Sequence, residues 1–238
     1  MRDPDLFLFK YAPITTEFSV ISTTLDAVLD HWIGWHRGIW EEYGWKVPLI
    51  AVEGSFTDKL DALLPLDSQA RLLVETADGQ LAVFCNFSQT NGSTDAGYLA
   101  TKFKLTETRV VLCKDGKNGK VESGDSVQFC VTDYAAPVVD GWRPAGRYVT
   151  AHKESRWEWD EFGPPYPFED LEAYKAKRIK DRLTPEMVET YCDHLGIALF
   201  DPDYYCGKAV MTRIRDVLPG ALTKYPNQAV SVGFGGVK

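Results

Sequence analysis

From Thr24 the chain changes period. Leu25, Val28, Leu29 and Trp32, then Trp35 or His36, Ile39, Trp40 and Tyr43, recur at three- and four-residue steps. That spacing predicts an amphipathic helix with Thr24 as its cap. Gly34, Gly38 and Gly44 weaken its end, each costing about 1 kcal/mol against Ala in a helix interior. Upstream, Leu6 to Phe9 and Phe18 to Ile21, broken by Pro4 and Pro13, predict an extended arm or a first strand.

Downstream, the short apolar run Val47 to Val52 suits a buried strand, and Ser55 to Leu64 a helix capped by Ser55 and stopped by Pro65. Arg71 to Glu75 and Leu81 to Phe87 flank Asp78-Gly79, the signature of a hairpin. Asp95 to Phe103 reads as a short helix. Thr108 to Cys113 and Asp125 to Val131 read as strands, the second with Val127, Phe129 and Val131 inward. The linking KDGKNGKVESG is a polar hairpin tip without phosphate-loop spacing.

Arg147 to Asp160 resumes the alternation as one long strand. Tyr148, Thr150, His152, Glu154, Arg156, Glu158 and Asp160 share a face read as wet; Val149, Ala151, Trp157 and Trp159 share the other. Three prolines in Gly163-Pro-Pro-Tyr-Pro then force a corner. Asp170 to Arg182 reads as a charged helix whose acids lead and whose bases follow, in keeping with the dipole. Thr184-Pro185-Glu186 opens another helix, which Gly196 closes. Asp201-Pro202-Asp203 is a turn that begins a short helix, and Ala209 to Leu218 is one more helical run before the Gly-rich end.

These elements predict an α+β fold with a largely antiparallel sheet, helices packed at one face and a C-terminal helical segment. All 238 residues are read as a single domain, with a sub-domain boundary placed near 137–145.

Composition adds two constraints. A net charge of −8, from 26 basic and 34 acidic residues, speaks against nucleic acid and anionic membranes as partners and for a basic protein surface. Five cysteines without a C-x-x-C, three of them in strand-like runs, behave as reduced hydrophobes of a cytoplasmic protein. The opening LFLF run is too short for a secretory signal, and nothing approaches the roughly 18–20 apolar residues of a membrane span.

Candidate chemistry is sparse. His31 and His36, five apart on a helix, sit about 140° around and do not make the paired ligands of a metal site. Cys192 and His194 point to different sides of their helix, so zinc is not expected there. No G-x-S-x-G, H-E-x-x-H or G-x-G-x-x-G occurs in a supporting context. The tryptophans of the first helix (Trp32, Trp35, Trp40) and Trp45 are read as packing groups rather than a stacking platform for a ligand. No catalytic residue, metal or cofactor is assigned.

The segments PFE (Pro167 to Glu169), Tyr174 to Thr184 with Arg178, Asp181 and Arg182, and FDPDYY (Phe200 to Tyr205) resemble those of a family of uncharacterised bacterial proteins. The resemblance covers roughly Leu49 to Tyr205, and the inserted QTNGS before Asp95 departs from it. A looser likeness of class is to the immunity proteins that pair with bacterial polymorphic toxins.

The expectation is therefore a non-enzymatic immunity protein that binds a basic toxin domain through an acidic and aromatic surface. Its partner-binding residues are Glu154, Arg156, Glu158, Asp160, Glu161 and Tyr166. The competing expectation is a small-molecule binder or enzyme that uses the Trp-rich helix or the polar strand face.

Overall fold

The computed structural model describes residues 1–65, 69–86, 92–113, 125–137, 145–153 and 155–213. Among the described residues nine strands form one antiparallel sheet: β1 (Glu17–Ile21), β2 (Leu49–Ala51), β3 (Ala70–Glu75), β4 (Leu81–Cys85), β5 (Thr106–Cys113), β6 (Ser126–Asp133), β7 (Ala145–Lys153), β8 (Trp157–Phe162) and β9 (Ala209–Arg213). Their spatial order is β2-β9-β3-β4-β1-β5-β6-β7-β8, so β2 and β8 are the edges. The α+β class and antiparallel pairing follow the sequence reading. The helices, however, divide between the two faces instead of gathering on one.

Alternation along the strands sets that division. On one face Ile21, Leu73, Leu81 and Val83 meet Leu25, Val28, Trp32 and Ile33 of α1 (Leu25–Trp40) and Ala96, Leu99 and Ala100 of α3 (Gly92–Phe103). The intervening positions Phe18, Leu72, Val74 and Phe84 face the other way. They meet Phe56 and Leu60 of α2 (Phe56–Asp61), Val188 and Tyr191 of α4 (Pro185–His194), and Phe200 and Tyr205 beyond it. Both layers bury apolar area that each strand could hide only by facing two ways.

Local signals explain the helix ends. Ser55 accepts from the Asp58 amide while Asp58 accepts from that of Ser55, a reciprocal cap that starts α2. Thr184 accepts from the Met187 amide with Pro185 in the first turn, and Gly196 at φ 77° ends α4. Asp201 caps the turn Pro202–Tyr205, as the sequence implies.

Tertiary pairing overrides the local pattern elsewhere. Leu6–Lys10 is a π-helical turn that precedes β1. The apolar run near Val47 yields only three strand residues, and they are exposed at an edge rather than buried. Ala209–Arg213 is a strand, not a helix, because β3 offers an unpaired side on which Met211 lies opposite Leu72; 214–218 lie outside the described residues, as do most of the connections read at 114–124 and 137–144. The charged stretch Asp170 to Arg182 is not one helix. It is two 3-10 turns, Ala173–Lys175 and Ile179–Asp181, separated by extended Ala176 and Arg178. An apolar stripe at helical spacing is missing there, and within it only Tyr174 is buried. All five cysteines are reduced thiols.

One polar cluster locks α1 and α3 onto the sheet. Asp95, 2% exposed, accepts from Trp32 Nε1 at 2.9 Å and Arg71 Nε at 3.0 Å and pairs with His36 Nε2 at 2.8 Å. Burial works to raise its pKa, but the Arg71 charge, then His36 and Trp32, more than offset this and hold it below the ordinary value. Ionised Asp95 therefore stabilises the fold. Its contribution is complete above the unfolded-state value of about 3.9 and is withdrawn as pH falls through the lower folded-state value. Replacing Asp95 by Ala removes the buried carboxylate that Trp32, His36 and Arg71 share and should cost about 3–5 kcal/mol at pH 7, read by denaturant melts. The variant should also lose part of the wild-type stability decline below about pH 4.

Candidate functional site

The stretch read as one strand, Arg147 to Asp160, is a hairpin. No Gly, Pro, Asn or Asp marks the bend near Ser155 and Arg156, so period-two reasoning runs through it. The face assignment survives because the register pairs like with like: Thr150 lies opposite Asp160, His152 opposite Glu158 and Ala151 opposite Trp159. The face is not wet throughout. Thr150 is fully buried, whereas Glu158 and Asp160 on the outer strand are exposed.

Under the other face lies the group that sets the corner. Arg147, 3% exposed, donates from Nε to both Glu169 oxygens at 3.0 Å and from Nη2 to Oε2 at 2.7 Å. It also donates from Nη2 to Glu161 at 2.9 Å and from Nη1 to the Gly163 carbonyl at 2.8 Å. Glu169 completes its shell with the Tyr166 amide at 2.8 Å and the Tyr174 hydroxyl at 2.9 Å. Burial would lower the Arg147 pKa; Glu169 and Glu161 more than offset it and leave it raised. A buried ion pair tolerates its desolvation only when hydrogen bonds fill the remaining positions, as they do here.

Close backbone contact completes the corner. Gly163 stands at φ 80°, and a Cβ there would come within 2.0 Å of the Gly146 carbonyl. Only glycine fits. The PFE segment thus contributes Glu169 to the buried network, and Phe168 stacks between Tyr166, 5.0 Å away, and His194, 4.8 Å away. Arg178 pairs with Asp181, and Arg182 donates to the Ala176 carbonyl. These are structural roles.

The expected partner-binding residues fall into three situations. Glu154 lies outside the described residues. Arg156 and Glu158 form an exposed pair at 3.4 Å, with His152 3.9 Å from Glu158; Asp160 is exposed and has no ion pair among the described residues. Glu161 and Tyr166 are tied to the Arg147–Glu169 network, so they belong partly to the scaffold. Glu158, Asp160 and Glu161 do lie together, on edge strand β8.

Chemistry elsewhere is restrained. Burial pushes the thiol of Cys130 up to about 12 and raises those of Cys113 and Cys192, the reverse of what a nucleophile needs. No group of three or more His, Cys, Asp or Glu side chains among the described residues could hold a metal ion. His31 bonds the Tyr98 hydroxyl at 2.9 Å, and His36 belongs to the Asp95 cluster. Trp32 is core, Trp35 stacks on Tyr98 at 3.9 Å and Trp40 packs on Trp45 at 5.5 Å. Among the described residues, no helix is long and apolar enough to cross a membrane.

Comparison with protein-family models, with curated proteins and with solved structures finds no match for this chain.

Sequence reasoning missed Asp95, Arg71, Arg147 and Glu169 as a set. The one available signal was a basic residue at the head of each of two apolar strands, Arg71 and Arg147. The Arg147 network should behave as a unit: Glu169→Ala should cost about 3–5 kcal/mol in denaturant melts, and the double variant Arg147→Met with Glu169→Leu less than that single change.

Proposed function

We propose that this protein is a non-enzymatic binding protein that occludes a basic partner, in the manner of an immunity protein that neutralises a toxin domain. The observation that carries the reading is the exposed acidic edge: Glu158, Asp160 and Glu161 lie on β8, at the rim of a chain whose net charge is −8. The Arg147–Glu169 network holds that edge against the aromatic corner at Tyr166 and Phe168. A rigid acidic rim attracts a basic surface over a distance and favours docking at low entropic cost.

Purification of the tagged protein from its native host tests this. A basic protein should co-purify; its association rate with the wild type should fall as salt rises, and Glu158→Lys with Asp160→Lys should lower the low-salt rate by about tenfold and weaken that salt dependence. Recovery of the chain alone, with no protection of cells against a toxin encoded beside it, would sink the reading.

A second reading, a small-molecule binder or enzyme that uses the Trp-rich helix, has one observation in its favour. Among the described residues, His36 Nδ1 is buried without a hydrogen-bond partner, while Nε2 is fixed by Asp95. Nitrogen-15 spectra of His36 should shift when host metabolite extract is added if that nitrogen meets a ligand; an unchanged spectrum rejects this reading.

A further inference from the structure

The backbone of β8 carries more information than its charge. Lys153 on β7 donates its amide to Asp125, towards β6. In an antiparallel ladder successive residues bond to alternate sides, so Tyr148, Thr150 and His152 bond towards β8. Their partners are Phe162, Asp160 and Glu158. The amides and carbonyls of Trp157, Trp159 and Glu161 consequently point away from the sheet, and among the described residues no strand lies beyond them.

Side chains alternate in the same register. Glu158 and Asp160 project from one face, while Trp157 and Trp159 lie on the other, where Trp159 packs on Tyr174 at 4.9 Å. The opposite edge, β2, offers only three residues and no charge. Acids on an edge strand repel other acidic edges, copies of this chain included, and leave the ladder open to a strand of opposite sign.

Resting on the reading above, we propose that the partner engages β8 by adding a tenth, antiparallel strand whose residues alternate between basic and apolar. Its basic residues lie opposite Glu158 and Asp160, at non-hydrogen-bonded positions where Cβ atoms approach to roughly 4.5–5.5 Å. Its apolar residues lie opposite Trp157, Trp159 and Glu161 and exchange the main-chain hydrogen bonds.

The probe is the fluorescently labelled peptide Lys-Val-Lys-Val-Lys-Val, blocked at both ends and matched to the 6 residues of β8, with affinity read by polarisation at low salt. Strand addition expects N-methylation of the valines to weaken binding by at least about tenfold, because their amides face β8, and N-methylation of the lysines to leave it within about twofold. Charge recognition expects Glu158→Gln with Asp160→Gln to weaken it as well. Equal effects of the two methylation patterns, or no binding of the unmethylated peptide, overturn strand addition. If the Gln variant binds the peptide as tightly as the wild type, the acidic-edge reading falls with it.

Discussion

The bond set between Arg147 and Glu169 is the constraint on which this end of the molecule depends. A guanidinium buried to 3% exposure keeps its charge and is costly to bury unless its donors are met, as they are here by one buried carboxylate, one rim carboxylate and a backbone carbonyl. Each of those partners belongs to a different part of the chain's turn: Glu161 lies one residue before the end of the outer strand, Gly163 makes the bend, and Glu169 follows the prolines. One charge thereby ties the outer strand to two backbone positions, Gly163 and Glu169, that no regular secondary structure holds. The segment to Arg182, which carries two short turns instead of a helix, is then held by Tyr174 on Glu169 and by Arg182 over Trp159.

The Asp95 cluster plays the complementary part on the opposite face. There one carboxylate serves Trp32, His36 and Arg71, joining two helices to β3. Buried lysine does similar work between α2 and the C-terminal segment: Lys59 Nζ donates to the carbonyls of Tyr205 and Gly207 at 3.1 and 2.8 Å. In each case a charged group sits where apolar packing alone would leave a surface helix free to slide. Breaking such a set is costly because the stranded partner stays buried.

Much of this architecture was legible in the chain. The period of α1, the Asp78-Gly79 hairpin, the Ser55 and Thr184 caps and the alternation of β6 all came from local rules that the tertiary structure respects. What escaped had non-local causes. Ala209–Arg213 is a strand because β3 has a free side, and the bend after Lys153 carries no Gly, Pro, Asn or Asp to announce it. The candidate site was legible in part: the acids of β8 were picked out by composition, but their place on a sheet edge follows from nine-strand order, which no stretch of sequence states. Glu161 and Tyr166 were read as surface, yet half of their role is to complete the shells of Arg147 and Glu169. Ion pairs between residues 22 apart in sequence leave no periodic trace.

Amide hydrogen exchange on the wild type and on Glu169→Gln tests the central claim most directly. If Arg147 and Glu169 hold the corner and the outer edge, the variant should lose protection across β8 and residues 163–169 while β3, β4 and β1 keep theirs. Unchanged protection at β8, or an equal loss throughout the sheet, would contradict it.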